Sequence, residues 1–252
     1  MSTSLSKNIN DDYFNGYYKD IWRTIIPEGL TKAEADFLIQ ESNLQTGNKV
    51  LDLMCGYGRH TLALARKGIE VIAIDNLTDY VDEIKAIAAK ENLPITCIQT
   101  DVIEYESREE FDLVICMGNN LSFFNKENTE KLFSKISSYT KHGKKFIANT
   151  WMIAEIVFKN FILKSWADIR EFRYLNDSKF FFSPTRIETE TIIIPLDKPE
   201  EVKHAVDYVY SLNETEDLLK QSGFAIKDIW SIPGKKKFTL GEPRVYIVAE
   251  KL

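Results

Sequence analysis

Residues 49–60 read KVLDLMCGYGRH, and this stretch decides the fold of the chain. It begins with a short apolar run that predicts a buried strand, and it then turns through Gly56 and Gly58. A helix-compatible run starts at Thr61. Because glycine has no Cβ, it allows positive φ angles and a close approach of the backbone to a ligand. A strand, a glycine turn and a helix in this order are typical of a site for a nucleotide-like ligand.

An acid follows the next apolar run, residues 71–74, at Asp75. A carboxylate at the end of the second strand suits the hydroxyl groups of a ribose, which dinucleotides and S-adenosylmethionine share. The dinucleotide fingerprint has a third glycine where this chain has Thr61. Asp52 would also repel a pyrophosphate, whereas the ammonium group of S-adenosylmethionine favours an acid there. These features favour S-adenosylmethionine.

The stretch DLMCGYG, residues 52–58, resembles the first motif of the class I S-adenosylmethionine-dependent methyltransferases, and Asp75 resembles their second acid. Met54 stands where many members have the first glycine. The resemblance covers most of residues 49–149 and 213–252. Within the family the chain is similar to bacterial small-molecule methyltransferases, on the strength of CGYGRH, GNNLSFF and the insertion before LLKQSGF.

The fold class predicted from this pattern is α/β. Apolar strands alternate with helical runs between residues 49 and 149, which predicts a parallel sheet with helices on both faces. Two further strands, at 224–232 and 244–250, are expected to end the sheet as an antiparallel pair. We therefore expect a doubly wound, mostly parallel seven-stranded sheet of the Rossmann-like methyltransferase type, with an antiparallel β-rich lid insertion.

Four segments divide the chain in this prediction. They are an N-terminal helical cap (1–46), a cofactor-binding core (47–150), the β-rich lid insertion (151–212) and the C-terminal part of the core sheet (213–252). In the cap, the sequence TKAE at residues 31–34 predicts a capping box at the start of a helix.

Composition limits the classes of partner. The 252 residues are 44% hydrophobic and 28% charged, with a formal net charge of -6. The acidic balance argues against a nucleic-acid partner, and no apolar run reaches membrane-spanning length. Three cysteines without metal spacing indicate a reducing compartment and no metal site. We expect a cytoplasmic monomer or homodimer that contacts neither nucleic acid nor membrane.

The resemblance implies which residues bind the cofactor, S-adenosyl-L-methionine, and its product S-adenosyl-L-homocysteine. Asp75 accepts hydrogen bonds from the ribose hydroxyls, and Asp101 accepts one from the adenine amino group. Asp52 holds the ammonium group. A helix-capping role is the alternative for Asp101. The full expected set at the strand ends is Asp52, Met54, Gly56, Tyr57, Gly58, Asp75, Asn76, Asp101, Val102 and Met117.

An aromatic segment precedes the core at residues 13–26. One interpretation is a short helix that closes over the cofactor, with Tyr17 or Tyr18 donating a hydroxyl. The alternative is a helix that packs Trp22 and Ile25 on the core. The sequence leaves both open.

Methyl transfer from a sulfonium requires mainly placement, and in-line positioning of two reactants can supply roughly 7–11 kcal/mol of the barrier. No general base is evident, so the catalytic residue is unassigned, with Asn119, Asn120 and His60 as candidates. Packing or helix capping is the alternative for His60. The segment after Asn119 lacks the two prolines found in methyltransferases that act on nucleic-acid amino groups, which favours a small-molecule methyl acceptor. A non-catalytic, S-adenosylmethionine-binding regulatory protein and a nicotinamide-dependent dehydrogenase are the alternatives.

Overall fold

The computed structural model describes residues 8–27 and 29–252. In these ranges the chain forms seven α-helices, namely α1 (Tyr18–Ile25), α2 (Leu30–Ser42), α3 (Arg59–Ala65), α4 (Thr78–Glu91), α5 (Lys126–Tyr139), α6 (Ala154–Asn160) and α7 (Leu212–Gln221). The strands are β1 (Lys49–Leu53), β2 (Glu70–Asp75), β3 (Ile95–Gln99), β4 (Phe111–Cys116), β5 (Thr140–Thr150), β6 (Lys164–Ile169), β7 (Phe172–Phe182), β8 (Thr185–Pro195), β9 (Glu201–Tyr208), β10 (Phe224–Ile232), β11 (Lys236–Lys237) and β12 (Val245–Lys251).

The main sheet has the strand order β11-β10-β12-β5-β4-β1-β2-β3. The five strands from β5 to β3 pair in parallel, and β12, β10 and β11 pair antiparallel. The predicted doubly wound, mostly parallel α/β sheet and its antiparallel end are confirmed. The two-residue β11 adds an eighth strand to the seven expected, because the chain folds back on β10 after Ile232.

Apolar side chains fill both faces of this sheet, as its helical layers require. On one face Phe133 of α5 and Leu219 of α7 pack with Phe146 in a large buried cluster. On the other face Phe37 and Leu38 of α2 pack with residues of β1, β2 and β12. All six residues of β4 are buried, which is typical of a central strand covered on both faces.

The start of α2 differs from the predicted capping box. Gly29 in the left-handed conformation, with φ 79°, is the N-cap residue, and Thr31 lies inside the helix. Glu34 turns inward and is fully buried instead of bonding to the N-cap backbone. The prediction was wrong because a buried ion pair competes successfully for this carboxylate.

The segment between α6 and α7 forms a separate antiparallel sheet with the order β6-β7-β8-β9. The antiparallel, β-rich character of the insertion is therefore confirmed. Ile21 of α1 packs against this sheet in a small buried cluster with Phe172 and Ile193. The hydroxyl of Tyr13 also lies 2.6 Å from that of Tyr174, in the same sheet. These contacts tie the N-terminal residues to the insertion.

Contacts divide the chain into two compact units. The smaller unit joins the described residues up to Pro27 with Phe161–Val209, and the larger unit holds the described residues from α2 to Asn160 and Tyr210–Leu252. The sequence-based division put α1 and α2 into one N-terminal cap, and it put α6 into the insertion. In the structure α1 belongs with the antiparallel sheet through Ile21, whereas α2 and α6 belong with the main sheet.

Candidate functional site

The glycine turn follows β1 directly and has three residues with positive φ: Met54 at 55°, Gly56 at 57° and Gly58 at 79°. The Cys55 N–H donates to the carbonyl of Ile74 at 2.9 Å and so holds the turn against β2. Met54 itself takes the left-handed conformation, at the position where the resemblance described above leads us to expect glycine. The backbone path of the turn therefore does not depend on a glycine there.

Gly58 is required by its surroundings. A Cβ built on it would lie 2.6 Å from Cγ1 of Ile84 in α4, much closer than real contacts allow. A Cβ on Gly56 would meet nothing within 4 Å. Gly58 therefore allows α4 to approach the turn, whereas Gly56 serves only the backbone conformation.

Asp75 lies at the end of β2 and is directed at the turn. Its Oδ2 accepts from the Gly56 N–H at 2.8 Å, and its Oδ1 accepts from the Leu77 N–H at 3.0 Å. Burial raises the pKa of this carboxyl to about 6, although the two backbone donors act in the opposite direction. The charge on Asp75 is consequently sensitive to conditions near neutral pH.

Asp52 lies inside β1 and is almost completely buried, at 1% exposure. Its Oδ2 accepts from the Thr61 hydroxyl at 2.6 Å, which links β1 to α3. Burial raises the pKa of Asp52, while the charges of His60 and Arg59 lower it. Two buried carboxylates thus flank the glycine turn at the carboxyl ends of adjacent parallel strands.

Asp101 follows β3, and its Oδ1 accepts from the Ile103 N–H at 2.6 Å. This contact is an Asx turn and not the helix cap named as the alternative to adenine binding, because residues 102–104 form a turn and no helix lies between β3 and β4. Its neighbour Val102 is buried in the hydrophobic cluster of the main sheet. Asn76 is half-buried, and its carbonyl accepts from the side chain of Gln99 at 3.3 Å. Tyr57 is half-buried within the turn.

The two asparagines after β4 hold loops together. Oδ1 of Asn119 accepts from three donors: the Thr150 hydroxyl at 2.6 Å, the Trp151 N–H at 2.9 Å and the Met152 N–H at 3.1 Å. Nδ2 of Asn120 donates to the carbonyls of Met54 at 2.8 Å and Met117 at 3.0 Å. Asn120 therefore ties the glycine turn to the end of β4. These contacts favour structural roles, and a catalytic role for either amide stays a prediction.

The matched family accounts for this geometry. Residues 50–143 match a family model described as a methyltransferase domain. Residues 50–143 therefore hold a methyltransferase domain, and this part of the chain is similar to the class I S-adenosylmethionine-dependent methyltransferases. S-adenosylmethionine is the cofactor of that family, and the acid-flanked glycine turn at the carboxyl edge of the sheet suits it.

One curated relative of the chain is a glycine/sarcosine N-methyltransferase from Aphanothece halophytica, which is 24% identical over 140 residues. That alignment covers 54% of this chain and 53% of the relative, so the chain spans about half the length of the curated relatives it matches.

Solved structures resemble the chain over much more of its length. A methyltransferase from Clostridium acetobutylicum has a TM-score of 0.81 at 20% identity, covering 93% of this chain and 96% of that one. An amino pentose methyltransferase from Micromonospora echinaspora, solved with S-adenosylmethionine bound, has a TM-score of 0.69 at 15% identity. That match covers 96% of this chain and 99% of the other. At these identities the likeness shows the fold.

Tyr17 and Tyr18 lie in the smaller unit. The Tyr17 ring lies 5.5 Å from that of Phe172, and its N–H donates to Glu201 at 3.1 Å. Tyr18 stacks on Trp22 with ring centroids 5.9 Å apart. Their role in cofactor binding stays a prediction.

Sequence reasoning missed a buried group behind the turn. His60 is 4% exposed, and its Nε2 lies 2.9 Å from Oε2 of Glu34. Arg59 donates to the same oxygen, and the Tyr246 hydroxyl donates to Oε1 at 2.6 Å. This pairing favours the packing interpretation of His60 over a general base. No spacing in the sequence connects Glu34 with Tyr246, which are 212 residues apart.

Two further observations concern metals and membranes. Among the residues that the structure describes, no cluster of histidine, cysteine or carboxylate side chains could hold a metal ion. Within the same ranges, no helix combines the length and apolar character needed to cross a bilayer.

Proposed function

We propose that this chain transfers a methyl group from S-adenosylmethionine to a small-molecule acceptor by in-line displacement. The observation that carries the proposal is the pair of buried carboxylates, Asp52 and Asp75, on either side of the glycine turn. Asp52 beside the turn would repel the pyrophosphate of a dinucleotide and attracts the ammonium group of S-adenosylmethionine, and Asp75 attracts the ribose hydroxyls.

The binding roles follow from this arrangement. Asp75 accepts from the ribose hydroxyls, Asp52 stabilises the ammonium group, and the turn from Met54 to Gly58 lies under the methionine portion. Asp101 and the Val102 backbone form hydrogen bonds with the adenine, and Met117 lines the pocket. Tyr57 and Asn76 complete the set in the larger unit.

The chemistry then depends on placement. S-adenosylmethionine supplies a methyl group that its positive sulfur already activates. The acceptor's lone pair forms the new bond to carbon as the carbon–sulfur bond breaks, and the electron pair of that bond remains on sulfur. The acceptor then loses its proton to solvent or to a base that is still unassigned. The protein's contribution is to hold the two reactants in line and to exclude water.

A small-molecule acceptor is supported by several features. The relative from Aphanothece halophytica is a glycine/sarcosine N-methyltransferase, and one structural neighbour is an amino pentose methyltransferase. The net charge of -6 is unfavourable for a nucleic-acid surface. We propose a cytoplasmic enzyme, monomeric or homodimeric, without nucleic-acid or membrane partners.

Calorimetry and a transfer assay test the proposal. The protein is titrated with S-adenosylhomocysteine and, separately, with NADH. Labelled S-adenosylmethionine is then incubated with the protein and a metabolite extract. Binding of S-adenosylhomocysteine together with label in a small metabolite supports the proposal. Binding without transfer supports a regulatory protein, and binding of NADH alone would overturn cofactor and chemistry together.

Cofactor affinity is expected to depend on pH through Asp75. Its pKa of about 6 means that the carboxyl becomes protonated as the pH falls below that value, and it then loses the charge that strengthens its bonds to the ribose hydroxyls. The affinity for S-adenosylhomocysteine should therefore be constant above about pH 7 and fall by up to about tenfold per pH unit below about pH 6. Calorimetry across this pH range measures the affinity. An Asp75→Asn variant should bind weakly without this dependence, and the same slope in that variant would assign the titration to another group.

The larger unit is expected to bind the cofactor without the smaller one. Apart from Tyr17 and Tyr18, all expected cofactor residues lie in the larger unit. The Ala154 N–H donates to the Tyr210 carbonyl at 2.9 Å, so a short linker can replace residues 161–209. With residues 1–27 also removed, S-adenosylhomocysteine affinity should change by less than about threefold, which is under ~1 kcal/mol. Turnover should be lost, because the chain leaves the main sheet for the insertion after the carboxyl end of β5, and ligands bind at the carboxyl ends of the strands in such sheets. Retained turnover would contradict a lid role.

A further inference from the structure

A fully buried carboxylate lies behind the glycine turn, outside every motif that identified the site. Glu34 of α2 has 0% exposure, and both of its oxygens are occupied. Oε2 accepts from Arg59 and contacts Nε2 of His60 at 2.9 Å, and Oε1 accepts from the Tyr246 hydroxyl at 2.6 Å. Three separate elements, α2, α3 and β12, therefore meet at this one side chain.

The two basic partners of Glu34 lie next to the glycine turn. Arg59 and His60 are the first two residues of α3, and they follow Gly58, the last residue of the turn, without a spacer. The same two side chains influence the buried Asp52, since their charges oppose the rise in its pKa. Whatever fixes Arg59 and His60 also fixes where the turn ends and what charge surrounds Asp52.

Glu34 is present as an anion. Burial alone raises its pKa, but the hydrogen bonds and charges of His60 and Arg59 outweigh burial and lower the pKa to about 2. A buried ion pair is weak evidence for stability, because apolar residues of similar volume often stabilise a fold equally well. The burial of the Glu34 charge is better explained by its effect on geometry, because it fixes α2, α3 and β12 relative to one another.

We propose that Glu34 is a positioning residue for the cofactor: it holds Arg59 and His60, and through them it fixes the end of the turn beneath the methionine portion of S-adenosylmethionine. This inference rests on the proposed function. It extends the site beyond the matched residues 50–143. Glu34 touches no part of the cofactor itself and acts only through its partners.

Loss of the Glu34 charge should affect the two halves of the cofactor differently if Glu34 positions the turn, and equally if it only stabilises the fold. Two ligands are compared by calorimetry, S-adenosylhomocysteine and methylthioadenosine, which has the adenosine and sulfur but lacks the amino-acid group. In Glu34→Gln the charge is lost while the shape is kept. We expect the affinity for S-adenosylhomocysteine to fall about tenfold, the equivalent of ~1.4 kcal/mol. The affinity for methylthioadenosine should change by less than about twofold, because the ribose and adenine contacts lie elsewhere.

Asp36→Asn is the matched control. Asp36 lies on the same helix, where it forms exposed ion pairs with Lys32 and Lys67, and the substitution is again acid to amide. It should leave both affinities unchanged. If Glu34→Gln fails to fold, Arg59→Gln tests the same link from α3, and it should weaken S-adenosylhomocysteine binding selectively by about threefold.

The outcomes distinguish the two proposals. Equal weakening of both ligands, or no weakening of either, in a folded Glu34→Gln or Arg59→Gln variant would overturn the positioning role while the proposed function stands. A wild-type protein that binds neither ligand would overturn the proposed function, and the role of Glu34 would fall with it. Selective loss of S-adenosylhomocysteine affinity supports both.

Discussion

Replacing Asp75 with alanine is expected to lower the affinity for S-adenosylhomocysteine by about 100-fold or more. Charged hydrogen bonds are worth roughly 1.5–3 kcal/mol each, and two ribose hydroxyls would lose their acceptor, at ~1.4 kcal/mol per factor of ten. The Gly56 N–H, which donates to the same carboxylate at 2.8 Å, would also lose its partner. Isothermal titration calorimetry measures the effect directly.

Two further variants make this test specific. Asp75→Asn keeps an acceptor oxygen for the Leu77 N–H but removes the charge, so its affinity should lie between those of the wild type and the alanine variant. Asp79→Asn removes an exposed acid in the first turn of α4 and should bind normally. An Asp75→Ala protein that is folded and binds with unchanged affinity would refute the assignment of the ribose site to the end of β2.

The second large effect is expected from Gly58→Ala, which should destabilise the fold. A left-handed conformation costs a residue with a Cβ ~1–2 kcal/mol, and overpacking typically costs ~1–3 kcal/mol more. At Gly58 both apply, because φ is 79° and the new Cβ would lie 2.6 Å from Cγ1 of Ile84. We expect the free energy of unfolding to fall by about 3 kcal/mol in urea denaturation, together with a loss of cofactor affinity.

Gly47→Ala separates the cost of the left-handed backbone from the cost of overpacking. Gly47 has φ 84°, but a Cβ added to it would meet no atom within 4 Å, so only the backbone cost of ~1 kcal/mol should appear. In an Ile84→Ala background, Gly58→Ala should cost less than in the wild type, because the clashing atoms are gone. Equal costs for Gly47→Ala and Gly58→Ala would contradict the role of Gly58 in the approach of α4.

The sequence by itself determined the features that depend on neighbours along the chain. The run from β1 through the turn to α3 could be predicted because strand apolarity, glycine conformation and helix periodicity are local properties. The places of Asp52 in β1 and Asp75 at the end of β2 could be predicted for the same reason, since each is fixed by its distance along the chain from that turn. The antiparallel insertion could be predicted because side chains along residues 186–192 alternate in polarity, which is typical of a strand with one buried and one solvated face.

Only the tertiary structure decided which distant side chains meet. Glu34 was taken for part of a capping box, and its partner Tyr246 stands at the other end of the chain. Asn120 was named as a catalytic candidate, and only the structure shows that its amide donates to the carbonyl of Met54, 66 residues earlier. Ile21 joins the antiparallel sheet through Phe172, and this contact removes α1 from the predicted N-terminal cap. The physical reason is common to all three: a buried polar or apolar group must find a partner, and the packing of the elements determines which partner is within reach.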